Sequence, residues 1–394
     1  VIQRIKSLTA AVIPQVKQIR EHIHKNPELS FQEVNTVRFV EDTLRSWGIS
    51  NIKPIANTGL IVLIEGKNPT KKVIGLRCEL DALPIVEKSQ EAYCSVNEGV
   101  MHACGHDVHT ACLLGAAKIL HDTKEEWEGT IKLFIQPGEE KEPGGASVLI
   151  KEGALENPRP ECVIAQHVYP NLPAGTVGFR EGLYMASADE IHMTVKGKGG
   201  HGALPQTVID PVLIGSHIIV ALQQIVSRNA YPIIPSVLSF GKFIANGATN
   251  VIPDEVHIAG TFRTMDETWR KKAHENMINI AKGIAEGMGA SLDIQISKGY
   301  PCLVNDPKVT GNCRNIAKEY LGNEQVKELD LRMTAEDFAF FGHEIPICYY
   351  RLGTSSADGR FTAPVHTPSF DISADAYETG VGLMTYIAWS HLQD

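Results

Sequence analysis

Apolar residues recur at helical spacing through the first 26 positions, at Ile5, Leu8, Val12, Val16, Ile19 and Ile23. The run stops before Asn26-Pro27, which predicts an opening helix. Val34, Val37, Val40, Leu44 and Trp47 repeat the spacing over residues 32–47, with Gly48 placed as a C-terminal cap. Short apolar runs then predict strands over 60–65, 73–78, 130–135 and 162–165, and residues 110–120 read as a buried helix, apolar on nearly every side. Strands alternating with helices predict an α/β sheet. From about Tyr184 the pattern changes: a half-exposed strand (190–196), a Gly-rich turn (197–202), a helix (211–227), two strands (236–243 and 256–264), a helix (267–288) and a strand (291–296). That β-α-β-β-α-β order is the ferredoxin-like split motif. After Tyr300-Pro301 the α/β pattern resumes, with helices at 309–320 and 336–341, a strand at 347–352 and a closing helix at 375–391. Thr334 and Asp337 fit a loose capping box for the short helix. The predicted plan is a mainly parallel-sheet α/β domain made of residues 1–183 and 302–394, with a self-contained α+β insert over 184–301.

The 394-residue length agrees with two domains. With 43% hydrophobic and 21% charged residues the composition is that of a soluble globule, and no apolar run suggests a membrane span. A formal charge of −9 without long runs argues against a nucleic-acid groove and favours small substrates. Eight scattered cysteines predict reduced thiols in a cytoplasmic setting. The chain begins at Val1, so the lack of a visible targeting segment carries little weight.

Chemistry concentrates in residues 101–109, Met-His-Ala-Cys-Gly-His-Asp-Val-His, which place a thiol, three imidazoles and a carboxylate at a helix entrance. A thiolate and an imidazole at Cys104-x-His106 suit zinc or another late divalent metal. His102 and His109 read as supporting or loop residues, and Asp107 as either a helix cap or an orienting carboxylate. Three predicted strands run into further polar groups: Glu79 and Asp81 after the second, Glu139-Glu140 after the third, and His167 after the fourth. Ligands of open α/β sheets bind beyond the carboxyl ends of strands, so these groups could converge on one crevice with Cys104.

Three segments together carry a family resemblance: residues 101–107, Gln136-Pro137-Gly138-Glu139-Glu140, and His366-Thr367-Pro368. In that order they resemble metal-dependent amidohydrolases of the aminoacylase and zinc carboxypeptidase superfamily, in the branch of hippurate hydrolases, N-acetyldiaminopimelate deacetylases and auxin-conjugate hydrolases. The resemblance implies a zinc-exopeptidase-like catalytic domain with an inserted lid and dimerisation domain. It also implies two divalent ions per subunit (Zn, Mn, Co or Ni), held by Cys104, His106, Glu140, His167 and His366. Glu139 would be the general base for a water activated by the metals, and the substrate an N-acyl amino acid. A metallo-exopeptidase acting on short peptides is the alternative. A non-catalytic binding protein is disfavoured, because it has no use for Glu139.

In the insert, His201 resembles an oxyanion-stabilising histidine, and Asn250 and Arg263 resemble groups that bind the substrate carboxylate. No membrane or nucleic-acid partner is implied, and a homodimer through the insert is. Two positions depart from the family pattern: Glu79 stands where aspartate is usual, and Gly138 where alanine is usual. Asp81 is therefore a second candidate, beside Glu79, for support of the metal-binding groups.

Overall fold

The computed structural model describes residues 1–393. By its internal contacts the chain divides into two units, the first comprising Val1–Gly182, Val304–Asp330 and the chain from Phe340 on, the second Leu183–Leu303 and Leu331–Ala339. Residues 331–339 group with the second unit because the Ala186 N–H donates to the carbonyls of Arg332 and Thr334.

The first unit is built on an eight-stranded sheet. Its strands are β1 (Ile52–Ile55), β2 (Gly59–Glu65), β3 (Val73–Glu79), β4 (Thr130–Gln136), β5 (Cys162–Pro173) and β6 (Val177–Phe179). Two later strands complete it; in the numbering used here they are β11 (Val326–Glu328) and β12 (Ile347–Ser355), in a sheet of order β1-β2-β4-β3-β5-β12-β6-β11. The centre is parallel: β4 with β3, β3 with β5, and β5 with β12. β2 joins antiparallel to β4, and β6 antiparallel to β12. Every residue of β3 and β4 is buried, including Arg77, Glu79, Lys132 and Gln136, as in a parallel sheet covered on both faces. Helices α1 (Ile2–Lys25), α3 (His106–Asp122) and the closing helix Ala376–Gln393 pack on one another and share a core with the sheet residues Leu76, Leu133 and Ile164.

Two boundaries differ from the sequence expectation and matter for the site. The helix expected from residue 110 starts at His106, so His106 and His109 project from its first turn and not from a loop. Strand β5 runs on to Pro173, so His167 lies within a strand, not beyond its end. Local apolar content could place neither limit, since polar residues there are held by tertiary partners. The short helix near residue 336 is a single turn at Ala339–Gly342, and α2 spans Val34–Ser46.

The second unit carries a four-stranded antiparallel sheet made of β7 (Asp189–Lys196), β8 (Ser236–Ile244), β9 (Glu255–Thr264) and β10 (Ser291–Lys298). Their order is β8-β9-β7-β10, the ferredoxin-like arrangement, with α5 (Pro211–Leu222) and α6 (Glu267–Gly287) packed on it. Ile191, Val195, Ile218, Val256, Ala273 and Met277 form its core. The helical stretch Pro211–Asn229 is long and apolar enough to cross a membrane. Ile214, Ile218 and Leu222 are nonetheless buried within this unit, as in the core helix of a globular domain.

Candidate metal centre and active site

The loop before α3 is shaped by Gly105, which adopts φ +83°, and a Cβ there would lie 2.5 Å from the Val168 side chain. Only glycine meets both conditions. The tight turn sets Cys104 and His106 on one side of the helix entrance. Cys104 Sγ lies 3.4 Å from His167 Nε2 and 3.3 Å from His366 Nε2. His366 Nε2 is in turn 3.1 Å from Glu140 Oε1, and His106 Nε2 is 3.9 Å from Glu139 Oε2 and 4.0 Å from Glu140 Oε1. All five expected ligands and Glu139 are thus gathered in the first unit, from the loop before α3 and its first residue, the turn between β4 and α4 (Gly145–Lys151), β5 and the loop after β12. His366 holds φ +62°, and its N–H donates to the Ala103 carbonyl at 2.7 Å, which ties its strained backbone to the residue before Cys104.

A further layer of hydrogen bonds aims the rings. His106 Nδ1 lies 3.0 Å from Asp81 Oδ1 and 2.9 Å from the Asp81 carbonyl, which leaves Nε2 facing the cluster. Asp81 Oδ2 accepts the Glu140 N–H (2.9 Å) and the Ser30 hydroxyl (2.7 Å). His167 Nδ1 donates to the Val168 carbonyl at 2.8 Å, again freeing Nε2. Glu79 is placed differently: it ion-pairs with Arg77, and its other oxygen lies 2.8 Å from His109 Nδ1. His109 Nε2 accepts the Val168 N–H at 2.9 Å. Of the two acidic candidates, Asp81 is therefore the one bonded to an expected ligand, while Glu79 reaches the cluster through His109 and β5. Asp107 caps nothing; it bonds Arg20 Nε and His24 Nδ1, both at 2.7 Å, and Arg20 also donates to Asp371.

Burial alone would push His106 down, but the Asp81 bond and the Glu140 charge carry it up to about 9. Burial opposes ionisation of Asp81, yet its bond to His106 holds it well below the usual carboxylate range. Burial, reinforced by the Arg351 charge, keeps His167 well below its ordinary value, so it stands neutral with a lone pair ready for a metal. Burial likewise pushes His102 down to about 4; it sits near His24, with ring centroids 6.3 Å apart, and joins none of the ligand groups among the described residues.

The donor set fits a metal pair. Cys104–His106–His167 and Cys104–Glu140–His366 each bring three ligand atoms within 4.8 Å of one another, and the two groups share the Cys104 sulfur. A third group, His106–Glu139–Glu140, overlaps both. His106 Nε2 is buried and has no hydrogen-bond partner, as an unmetallated ligand atom would be. Thiolate, imidazole and carboxylate together suit borderline transition ions better than calcium or magnesium.

The insert residues lie in the second unit. His201 is on a two-residue strand, Gly200–His201, paired antiparallel with Val251–Ile252, so it neighbours Asn250, whose carbonyl accepts the Gly202 N–H. Both side chains are exposed. Arg263 lies on β9 opposite Val237, half-buried, and burial lowers its pKa. His201 and Asn250 are thus brought together, and Arg263 is on a separate strand. Sequence reasoning missed Ser30, Glu33, Arg20 and His24, which surround the metal-site loops; within amphipathic helices and their linker they read as ordinary polar positions.

The model of peptidase family M20/M25/M40 matches residues 75–390. The chain belongs to that family. It is 41% identical to an N-acyl-L-amino acid amidohydrolase of Geobacillus stearothermophilus over 314 residues, 79% of this chain and 84% of that one. It is 38% identical to an N-acetyl-L-cysteine deacetylase of Bacillus subtilis over 363 residues, 92% and 84% of the two chains. Among solved structures it is similar to the Bacillus subtilis YXEP protein, described as a dinuclear metal-binding peptidase of the M20 family, with TM-score 0.83, 31% identity and 98% and 99% of the two chains covered. The M20 assignment makes the chain an amide-hydrolysing enzyme, and the α/β sheet with its ferredoxin-like insert agrees with the resemblance read from the motifs.

Proposed function

We propose that this M20 enzyme hydrolyses the amide bond of small N-acyl amino acids at a two-metal site, with Glu139 as general base. The observation that carries the reading is the placement of Glu139: its carboxylate lies beside His106 and Glu140 in a ligand group, at a buried turn, on a chain whose relatives include an N-acyl-L-amino acid amidohydrolase. Cys104, His106, Glu140, His167 and His366 would hold the two divalent ions, which when bound acidify water and polarise the amide carbonyl. Zinc, manganese, cobalt and nickel all suit this donor set, and the Cys104 thiolate favours the softer of them. Glu139 takes the proton from the attacking water and returns it to the departing amine. Asp81 keeps His106 and the Glu140 backbone in place while this happens.

In the same proposal, residues 184–301 act as a lid on the catalytic domain formed by 1–183 and 302–394. His201 donates to the developing oxyanion, and Asn250 with Arg263 binds the carboxylate of the substrate, for which the planar guanidinium is suited. The insert also serves as a homodimer interface. Support comes from α5, which leaves Leu213 51% and Val220 72% exposed, and from β8, an open edge strand that exposes Phe243 and Ile244. All eight cysteines are free, which suits a reducing cytoplasmic setting.

The test is a panel of acetyl, benzoyl and aminoacyl amino acids offered to metal-reconstituted protein, together with Glu139→Gln. Acyl amino acids should be cleaved, and Glu139→Gln should lose roughly 100-fold or more in turnover with metal retained. The description of the YXEP protein as a peptidase favours a second reading, action on short peptides. Preference for free-amine dipeptides over all acyl substrates would establish it.

A further inference from the structure

The β4–α4 turn that bears Glu139 and Glu140 is not held by its own sequence. Gly138 adopts φ +57°, and a Cβ there would fall 2.5 Å from the Phe31 ring, so the turn lies against a residue more than a hundred positions earlier. Phe31 is itself left-handed, at φ +65°. Both unusual backbones are tied to one buried carboxylate. Glu33 Oε1 accepts the N–H of Gly138 at 2.8 Å and that of Phe31 at 2.9 Å, while Oε2 accepts the Thr58 hydroxyl at 2.7 Å. Glu33 is fully buried. On its other side the turn is closed by the Gly145 N–H, which donates to the Gly138 carbonyl at 2.9 Å, and a Cβ on Gly145 would overlap the Pro137 carbonyl.

The two glutamates are therefore fixed by different acids of the scaffold. Glu140 has its N–H on Asp81, which also touches His106, so its position is linked to the metal ligands. The peptide just before Glu139 is anchored by Glu33. A buried carboxylate that accepts two N–H groups and a hydroxyl is rigid, since three of its roughly four acceptor directions are filled and a shift strains or breaks bonds to buried donors.

We propose that Glu33 is the positioning residue for the general base: its carboxylate, held by Thr58, fixes the left-handed turn at Gly138 and so aims the Glu139 side chain at the reacting water. The assignment rests on Glu139 being the base. Glu33 touches neither substrate nor metal, so its contribution is one of alignment, and misplacement of a reacting group by about 1 Å costs on the order of 100-fold in rate.

The test compares Glu33→Met, which keeps volume but accepts nothing, with Glu33→Gln, whose carbonyl can still take both N–H groups while its amide faces Thr58. Both are made alone and with Glu139→Gln, in zinc-loaded enzyme on the best substrate of the acyl amino acid panel. Glu33→Met should lower kcat by roughly 10- to 100-fold, with KM and equilibrium zinc affinity close to the parent, and Glu33→Gln should recover most of the loss. In the Glu139→Gln background Glu33→Met should cost little more, because there is no base left to aim. The same fold-loss in both backgrounds, or a loss confined to KM or zinc affinity, would overturn the proposal. If Glu33→Met does not fold, Glu33→Asp replaces it: one methylene shorter, it cannot span Thr58 and Gly138, and unchanged kcat in that variant overturns the proposal equally. Near-normal turnover of Glu139→Gln alone would remove the general-base reading and the proposal with it; a crippled Glu139→Gln combined with additive losses removes the proposal alone.

Discussion

Replacing Asp81 by Asn tests whether the hydrogen bonds behind the ligands determine metal affinity. Asp81 serves three donors with two oxygens: His106 Nδ1 at Oδ1, and the Glu140 N–H and Ser30 hydroxyl at Oδ2. Asparagine has one acceptor and one donor group in the same space. If its oxygen faces His106, its amide points at the Glu140 N–H; if it is flipped, its amide points at His106. In the first case the Glu140 N–H loses its acceptor, and in the second His106 Nδ1 faces an amide donor and keeps only the Asp81 carbonyl, a cost of about 1–3 kcal/mol. At 1.4 kcal/mol per factor of ten this predicts zinc binding weakened by roughly 10- to 100-fold, the range expected for loss of a partner behind a metal ligand. Zinc affinity should be measured by competition with a chromophoric chelator, alongside thermal unfolding of the metal-free proteins to separate lost binding from lost fold. Unchanged affinity would mean that the His106 bond to the Asp81 carbonyl is enough to aim the ring, and would refute the reasoning.

Metal-free protein should show a stability maximum near neutral pH. Burial depresses His102 to about 4 and lowers His109 and His167, so below their unfolded value of about 6.5 the unfolded chain binds more protons, and stability rises with pH. His106, raised to about 9 in the folded chain, reverses the sign above 6.5, and stability then falls as pH rises towards 9; urea unfolding of chelator-treated protein from pH 5 to 9 would read both limbs. A monotonic profile would contradict these assignments. His201→Ala should lower kcat more than it raises KM, by the roughly 100- to 1000-fold typical of an oxyanion donor, and Arg263→Ala should chiefly raise KM. Mixing His201→Ala with Glu139→Gln subunits should restore part of the activity if the histidine acts across a dimer, and verified heterodimers without activity would exclude that. Gly145→Ala should be poorly tolerated, because its Cβ has nowhere to go beside Pro137; a melting temperature and kcat equal to the parent would show that the turn can shift.

The sequence by itself determined the layer plan and the chemistry of the site. Short, mostly apolar runs at β3 and β4 alternating with helices read as strands of an α/β sheet, and the helix–strand periods from Tyr184 to Tyr300 specify a four-stranded unit with two helices. Cys104, His106, Glu139, Glu140 and His167 stand out as polar groups beside apolar elements, whereas the full ligand set with His366 and the role of Glu139 came from the family resemblance of three segments. Tertiary structure decided what holds them. Whether Glu79 or Asp81 stands behind a ligand depends on which carboxylate meets His106 and which meets Arg77 and His109, a question of side-chain direction at a strand end that differs by two residues. The role of Glu33 was invisible for the same reason: at the head of α2 it has the composition of any helix start, and only the long-range closure of residue 33 on residue 138 turns it into a buried anchor. Local pattern reports burial and period, whereas hydrogen bonds between segments far apart in the chain exist only once the sheet has brought those segments together.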